Sequence, residues 1–186
     1  MKQAVYGLVL FIFLALPPVA ELAESIMIIH MHMQMPLFVV AGFLMGKFFQ
    51  IKFPGFFEKW NKDGVPGILL FGVIMIYWTV IPRTMDEALT MYSMELFKFF
   101  SLTFLAGVPL RDSWKKLSER VKNIVFYSFM IICFGMGWLY IQSPVQLCNN
   151  YLLVEQITLG WGFLAMAVCM GIYLIYVAIT DQSEHE

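Results

Sequence analysis

Residues 152–180 read LLVEQITLGWGFLAMAVCMGIYLIYVAIT, and Glu155 is the only charged residue among them. An α-helix crosses the roughly 30 Å hydrocarbon layer of a bilayer in about 20 residues. Backbone polar groups find no water in that layer, so a helix is the form in which they can satisfy one another. This stretch therefore predicts a membrane-spanning helix.

Five further apolar stretches precede it, over residues 4–20, 25–49, 65–81, 91–110 and 124–141. The chain is 60% hydrophobic and only 13% charged, about half the ~25% charge content of soluble proteins. We expect an all-α, polytopic membrane helix bundle of six transmembrane helices, forming a single domain over residues 1–186. The first stretch also resembles a signal peptide, but Pro18 is a poor residue three places before a cleavage point, so we expect a retained helix.

The basic residues predict the orientation of these helices, because cytoplasmic loops are rich in Lys and Arg. If there are six spans, every basic residue except Arg83 and Lys98 falls on one side of the membrane, which places both termini in the cytoplasm. The residues on that side are Lys2, Lys47, Lys52, Lys59, Lys62, Arg111, Lys115, Lys116, Arg120 and Lys122. For the amphipathic piece over residues 111–123 we predict a solvated loop, with a short interfacial helix as the alternative.

A cluster of soft metal ligands lies at the predicted outer end of the second span, where the sequence reads His30-Met31-His32-Met33-Gln34-Met35. Imidazole and thioether groups are neutral ligands that Cu(I) prefers. We therefore predict a copper site with His30, His32, Met31 and Met35 as candidate metal ligands. On a regular helix the two histidines point about 200° apart, so they converge only if the helix unwinds before Pro36.

Two other interpretations of this cluster stay open. The methionines are also typical of helix packing, and the histidines of hydrogen bonding at a membrane surface. A haem ligand is the third interpretation, although the remaining histidine, His185, lies on the opposite side of the predicted bundle.

Other residues that can act as ligands are predicted to lie at the same outer level, at helix ends and in loops. They are Glu21, Glu24, Met85, Asp86, Glu87, Met91, Met94, Glu95, Cys148, Glu155 and Gln156. Lys98 lies two turns inside the fourth span, where a charge costs on the order of 2.5–3.5 kcal/mol. It either extends outward beside Glu95 or forms a buried pair facing the bundle, a partner subunit or an ion path. We expect Cys148 to be a free thiol, a metal ligand or a residue that forms a disulfide with a partner protein.

Four segments, in order along the chain, resemble the CtaG-type cytochrome c oxidase assembly proteins. His30–Gly46 is similar to their histidine-containing second helix, and Trp78–Leu89 (WTVIPRTMDEAL) to their W-H-x-P-x-x-x-D-x-A-L segment. Phe99–Gly107 resembles the apolar helix that follows, and Glu155–Tyr173 resembles their last helix. The resemblance implies a membrane protein of six or seven helices that helps insert copper into haem–copper oxidases.

The chain departs from that family at most of its histidine positions. Of the two second-helix histidines, four residues apart in the family, His32 takes the second place and Ile28 the first, whereas His30 is extra. The other family positions are occupied by Val80, Leu96, Phe100 and, for the aspartate of the last helix, Glu155. A complete multi-histidine copper site is therefore not expected, and methionines are our proposed replacement.

Three functions follow as expectations. The first is copper handling at the outer face of a cell's inner (plasma) membrane, with subunits of a membrane-embedded copper or haem–copper oxidase as partners and the lipid bilayer as solvent. The second is a non-catalytic accessory subunit of a respiratory or oxidase complex whose metal site has decayed. The third is a small transporter or channel, for which Lys98 and Glu95 are the evidence. We expect neither an enzyme nor a nucleic-acid-binding protein, because the sequence has no acid–base, nucleophile or basic-face pattern.

Overall fold

The computed structural model describes residues 2–183, so His185 and the end of the acidic tail lie outside it. Within that range the chain is helical, without strands. The helices are α1 (Lys2–Ala15), α2 (Pro17–Glu24), α3 (Met27–Lys52), α4 (Pro54–Trp60), α5 (Val65–Val80), α6 (Pro82–Thr90), α7 (Tyr92–Trp114), α8 (Glu119–Gln142) and α9 (Leu153–Ser183).

Four of these helices, α3, α7, α8 and α9, are long and apolar enough to cross a membrane. Two bent pairs add one candidate span each: α1 with α2, at 69°, and α4 with α5, at 85°. The described chain therefore holds four candidate spans, or six if each bent pair is one span, and the prediction of a polytopic helical membrane protein is confirmed. The orientation of the spans stays a prediction.

The predicted solvated loop over residues 111–123 is wrong for most of its length. Helix α7 continues to Trp114 and α8 already begins at Glu119. The reason is tertiary structure. Asp112 is 4% exposed and accepts hydrogen bonds from Gln50 (2.9 Å) and Asn61 (2.6 Å). It also forms an ion pair with Lys116 (2.7 Å). Gln50 belongs to α3 and Asn61 to the segment after α4, so tertiary contacts hold Asp112 in the last turns of α7.

The described chain divides into two compact units, one formed by residues 2–117 with 148–151 and the other by residues 118–147 with 152–183. In the second unit α8 packs along α9. A Cβ atom on Gly137 would lie 2.9 Å from the carbonyl oxygen of Gly160, so the two helices approach closely there. The prediction of a single domain stays a prediction.

In the first unit α3 is the central helix, with α1 and α7 packed against it. The contact with α7 is made backbone to backbone: a Cβ atom on Gly42 would lie 1.8 Å from the Thr103 carbonyl oxygen, and one on Gly107 2.3 Å from the Val39 carbonyl oxygen. Small residues allow this approach in membrane helices. Aromatic packing continues the contact, with the rings of Phe38 and Phe99 stacked at 4.7 Å.

Both α3 and α7 contain a π-helical segment that ends two residues before a proline. Residues His30–Gln34 precede Pro36, and Ser101–Gly107 precede Pro109. Proline clashes with the carbonyl group four residues earlier and donates no backbone hydrogen bond. A wider turn relieves that clash, and such π-bulges are frequent at functional sites. The unwinding predicted before Pro36 is therefore a π-turn, in which the Met35 N–H donates to the His30 carbonyl.

Candidate functional site

Lys98 on α7 is completely buried, although it carries a charge inside a candidate membrane span. Its Nζ donates to Glu24 Oε1 at 2.6 Å and lies 3.1 Å from His30 Nε2. The ammonium also lies 5.0 Å from the centre of the Phe99 ring, within cation–π range. The charge is thus balanced by a carboxylate from the end of α2 and solvated by polar and aromatic groups of the protein.

The imidazole of His30 connects this ion pair to Tyr151. Its Nδ1 lies 2.8 Å from the Tyr151 hydroxyl, and that hydroxyl donates to the Glu24 carbonyl oxygen at 2.7 Å. A phenol has one proton and a carbonyl oxygen can only accept, so Nδ1 must be the donor in the bond to Tyr151. Nε2 is then unprotonated and accepts from the Lys98 ammonium. His30 is neutral in this arrangement.

Gln34 is the last member of the cluster, and its side-chain oxygen has no hydrogen-bond partner. Its Nε2 donates to Glu24 Oε1 at 3.3 Å, while its Oε1 is buried and has no hydrogen-bond partner. The residue is 1% exposed, and a buried polar atom without a partner is costly. This oxygen can therefore accept a hydrogen bond from a group that enters the cluster.

The last helical turn of α2, the π-turn of α3, the first half of α7 and the segment 148–151 position these groups. Asp86 on α6 holds that segment in place: its carboxylate accepts from the backbone N–H and the side-chain amide of Asn149 and from the side-chain amide of Asn150, each at 3.0 Å. Tyr151 follows directly in sequence, so this anchor brings its hydroxyl to His30.

A cleft of about 770 Å³ adjoins the cluster, because Glu24 belongs to both. Two further carboxylates, of Glu21 and Glu95, line it. Its aromatic wall is formed by Phe11, Tyr92, Phe99 and Phe100. Glu95 interacts electrostatically with Glu21, Glu24 and Lys98. The site therefore combines a buried ammonium, three carboxylates and an apolar wall.

Of the residues predicted to gather at one level, Glu24 and His30 both contact Lys98, and Asp86 holds the segment that carries Tyr151 to the same network. Of the two positions predicted for Lys98, the structure has the buried one. Lys98 is hydrogen-bonded to Glu24, whereas the pairing considered for the outward position was with Glu95. Glu24 lies far from Lys98 in sequence, and helix periodicity relates only neighbours three or four residues apart. Tyr151 was missed for the same reason.

The four predicted copper ligands differ in their surroundings. His30, Met31 and Met35 are buried, whereas His32 is half-buried. Both ring nitrogens of His30 already have partners, Tyr151 and Lys98. A copper ion at His30 would have to displace one of them and would lie beside an ammonium if it took Nε2. The residues as arranged do not fit a copper ion at His30, and within residues 2–183 no three His, Cys, Asp or Glu side chains are grouped as metal ligands.

Cys148, which the sequence placed among the residues of the outer level, is buried in the first unit. No disulfide joins the cysteines of the described chain.

The three comparisons, with protein-family models, with curated proteins and with solved structures, found no match to this chain.

Proposed function

We propose that this protein exchanges a cation for a proton at the Glu24–Lys98 pair, as the central step of a membrane cation carrier. The observation that supports the proposal most directly is that Glu24 does two things at once. It neutralises a fully buried ammonium, and it lines a cleft that a solute can enter. Ionisable residues inside membrane spans often mark ion or proton pathways.

The exchange follows from the cost of an unpaired buried charge. A cation that binds Glu24 from the cleft competes with Lys98 for the same carboxylate. Lys98 has no exposed surface, and a buried ammonium that loses its counter-charge is strongly destabilised. It then gives up a proton: one N–H bond of the ammonium breaks and its electron pair stays on Nζ. When the cation is monovalent, one cation is bound and one proton is released, so the net charge of the site does not change; a divalent cation exchanged for one proton would add one positive charge.

His30 is placed to receive that proton first, as an N–H bond at Nε2; the imidazolium then gives the proton up to water, which completes the release. The Nε2 atom of His30 carries a lone pair and lies 3.1 Å from Lys98 Nζ. The opposite nitrogen, Nδ1, is fixed by Tyr151, which keeps Nε2 directed at Lys98. When the cation leaves into the opposite compartment, a proton from that compartment binds Nζ and the ion pair with Glu24 forms again.

Proteoliposomes with a trapped pH-sensitive dye test this function. Addition of KCl, NaCl, MgCl₂ or benzyltrimethylammonium chloride outside should raise the internal pH for at least one of these salts, because protons leave as the cation enters. Glu24→Gln and Lys98→Met should abolish the response. Glu87→Gln is the matched control, because Glu87 lies outside the cleft in an exposed pair with Arg83.

A second variant keeps the test informative if Glu24→Gln does not fold. Glu95→Gln removes a carboxylate of the cleft but leaves the Glu24–Lys98 bond in place, so it should fold and weaken the response. The proposal is overturned if no salt changes the internal pH with the unmodified protein, or if every cleft variant responds as Glu87→Gln does.

A further inference from the structure

Two apolar clefts lie side by side in the first unit. One, of about 360 Å³, is lined by α1 and α3, and the other, of about 320 Å³, by the end of α3 and by α4. Phe49 on α3 and Phe104 on α7 line both of them, so the clefts share a wall. Every described residue that lines them is apolar. Their volumes lie within the range of roughly 300–1,000 Å³ that small-molecule sites occupy, and their lining suits hydrocarbon.

Both clefts are open at the surface. Leu8 and Phe48 at the first cleft are exposed, and so are Phe53 and Phe56 at the second. Because α3 and α7 are candidate membrane spans, apolar side chains on their outer surface face the hydrocarbon tails of lipids. An acyl chain of the bilayer can therefore enter either cleft without passing through water.

One end of the first cleft carries exposed lysines. Side chains three or four residues apart lie on the same face of a helix. Lys52, the last residue of α3, lies four residues after Phe48 and three after Phe49. Lys2 lies three residues before Val5, at the start of α1. Since the start of α1 and the end of α3 line the same cleft, both lysines extend its walls at the same end, and both are exposed.

Lys59 extends the wall of the second cleft in the same way. It lies three residues after Phe56 on α4 and is exposed. The carboxylate of α4, on Glu58, lies three or four residues from none of the described lining residues, so it is on another face of that helix. The two clefts are therefore apolar along their length and basic at one end, which is complementary to a molecule with a hydrocarbon body and an anionic head.

We propose that the two clefts bind one anionic phospholipid of the bilayer, with an acyl chain in each cleft and the phosphate at Lys2, Lys52 and Lys59. Basic pockets between membrane helices bind anionic lipid headgroups, and a phospholipid has two chains for two adjoining clefts. This site is separate from the proposed cation exchange, because His30 and Lys52 lie near opposite ends of α3, roughly 30 Å apart along the helix.

Native mass spectrometry of the full chain, stripped of lipid in detergent, tests the inference. The probes are dioleoylphosphatidylglycerol, which is anionic, and dioleoylphosphatidylcholine, which has the same chains and no net charge. We expect one phosphatidylglycerol per chain, bound at least about tenfold more tightly than phosphatidylcholine. Lys52→Gln should weaken phosphatidylglycerol binding about fivefold. Arg120→Gln, at an exposed basic residue of the second unit, is the matched control and should change nothing.

A second variant tests the cleft itself and keeps the charge of the chain. Ala4→Phe adds a ring to the first cleft, which Ala4 lines, and should weaken phosphatidylglycerol binding about tenfold because it displaces part of an acyl chain. Val9→Phe is the control, since Val9 is exposed on α1 and lines neither cleft.

Three results would overturn the lipid site. Equal binding of the two lipids would show only the unspecific lipid that surrounds any membrane protein. Phosphatidylglycerol binding that Lys52→Gln does not weaken, or that Ala4→Phe weakens no more than Val9→Phe does, would place the lipid elsewhere on the chain. A dimer that excludes phosphatidylglycerol would show that a second copy of the chain covers the clefts instead.

Discussion

Lys98 Nζ and Glu24 Oε1 lie 2.6 Å apart, and the two side chains differ in their access to solvent. The lysine side chain is 0% exposed, whereas the glutamate side chain is 12% exposed and borders a cleft. The pair is therefore asymmetric. Water can reach the Glu24 carboxylate from the cleft if Lys98 is lost, whereas water cannot reach Lys98 if its counter-charge on Glu24 is lost. This asymmetry underlies the proposed exchange and leads to a prediction about stability.

Glu24→Gln should destabilise the protein more than Lys98→Met does. The first change leaves a buried ammonium without a counter-charge, at a cost of about 3–5 kcal/mol. The second leaves a carboxylate that can face the cleft, so we expect about 1–2 kcal/mol. The double variant should be more stable than Glu24→Gln alone, because it removes the unpaired charge. Thermal unfolding in detergent, followed by circular dichroism, measures all three. Equal losses in the two single variants would contradict the asymmetry.

Tyr151→Phe should lower stability by about 1–3 kcal/mol, because the Nδ1–H of His30 and the carbonyl oxygen of Glu24 both lose a hydrogen-bond partner. Tyr127→Phe, at an exposed tyrosine of α8, is the control and should change little. The measurement is again the thermal unfolding midpoint. A loss that is the same for both variants would mean that the hydroxyl of Tyr151 does not close the network.

Gly42→Ala should separate α3 from α7. The new Cβ atom would lie 1.8 Å from the Thr103 carbonyl oxygen, which is backbone and moves only with the whole helix. We expect a loss of about 3 kcal/mol or failure to fold. Gly72→Ala on α5 is the matched control, because a Cβ atom there meets nothing within 4 Å. Yield of monodisperse protein and unfolding temperature both report the effect. Normal behaviour of Gly42→Ala would show that the two helices are not in backbone contact.

The predicted copper site can be tested through Lys98. Because Lys98 occupies Nε2 of His30, we expect less than one Cu(I) per chain in the purified protein, and more in Lys98→Met, where that nitrogen is released. Elemental analysis gives the copper content, and the variant in which His30 and His32 are both alanine is the control. Stoichiometric copper in the unmodified protein, lost when both histidines are replaced, would show that Lys98 leaves His30 and that the soft ligands bind metal.

The helical, membrane-embedded character of the chain was predictable from residues alone. Runs such as 152–180 exceed the thickness of a bilayer and carry almost no charge, so their hydropathy decides their structure without reference to neighbours. The π-turns before Pro36 and Pro109 also have a local cause. By contrast, residues 111–123 were predicted as a loop because their charges suggested solvent, and the structure instead buries Asp112 among partners from other segments.

Local sequence thus predicted most of the helices, that several of them suit a membrane, and that Glu24 and His30 lie near one level. Only the tertiary structure decided that Lys98 pairs with Glu24, that both nitrogens of His30 are engaged, and that Tyr151 closes the network. The physical reason is the range of the interactions. Hydropathy and proline geometry act over a few turns of one helix. A buried charge, by contrast, pairs with the opposite charge that packing places beside it, however distant that residue is along the chain.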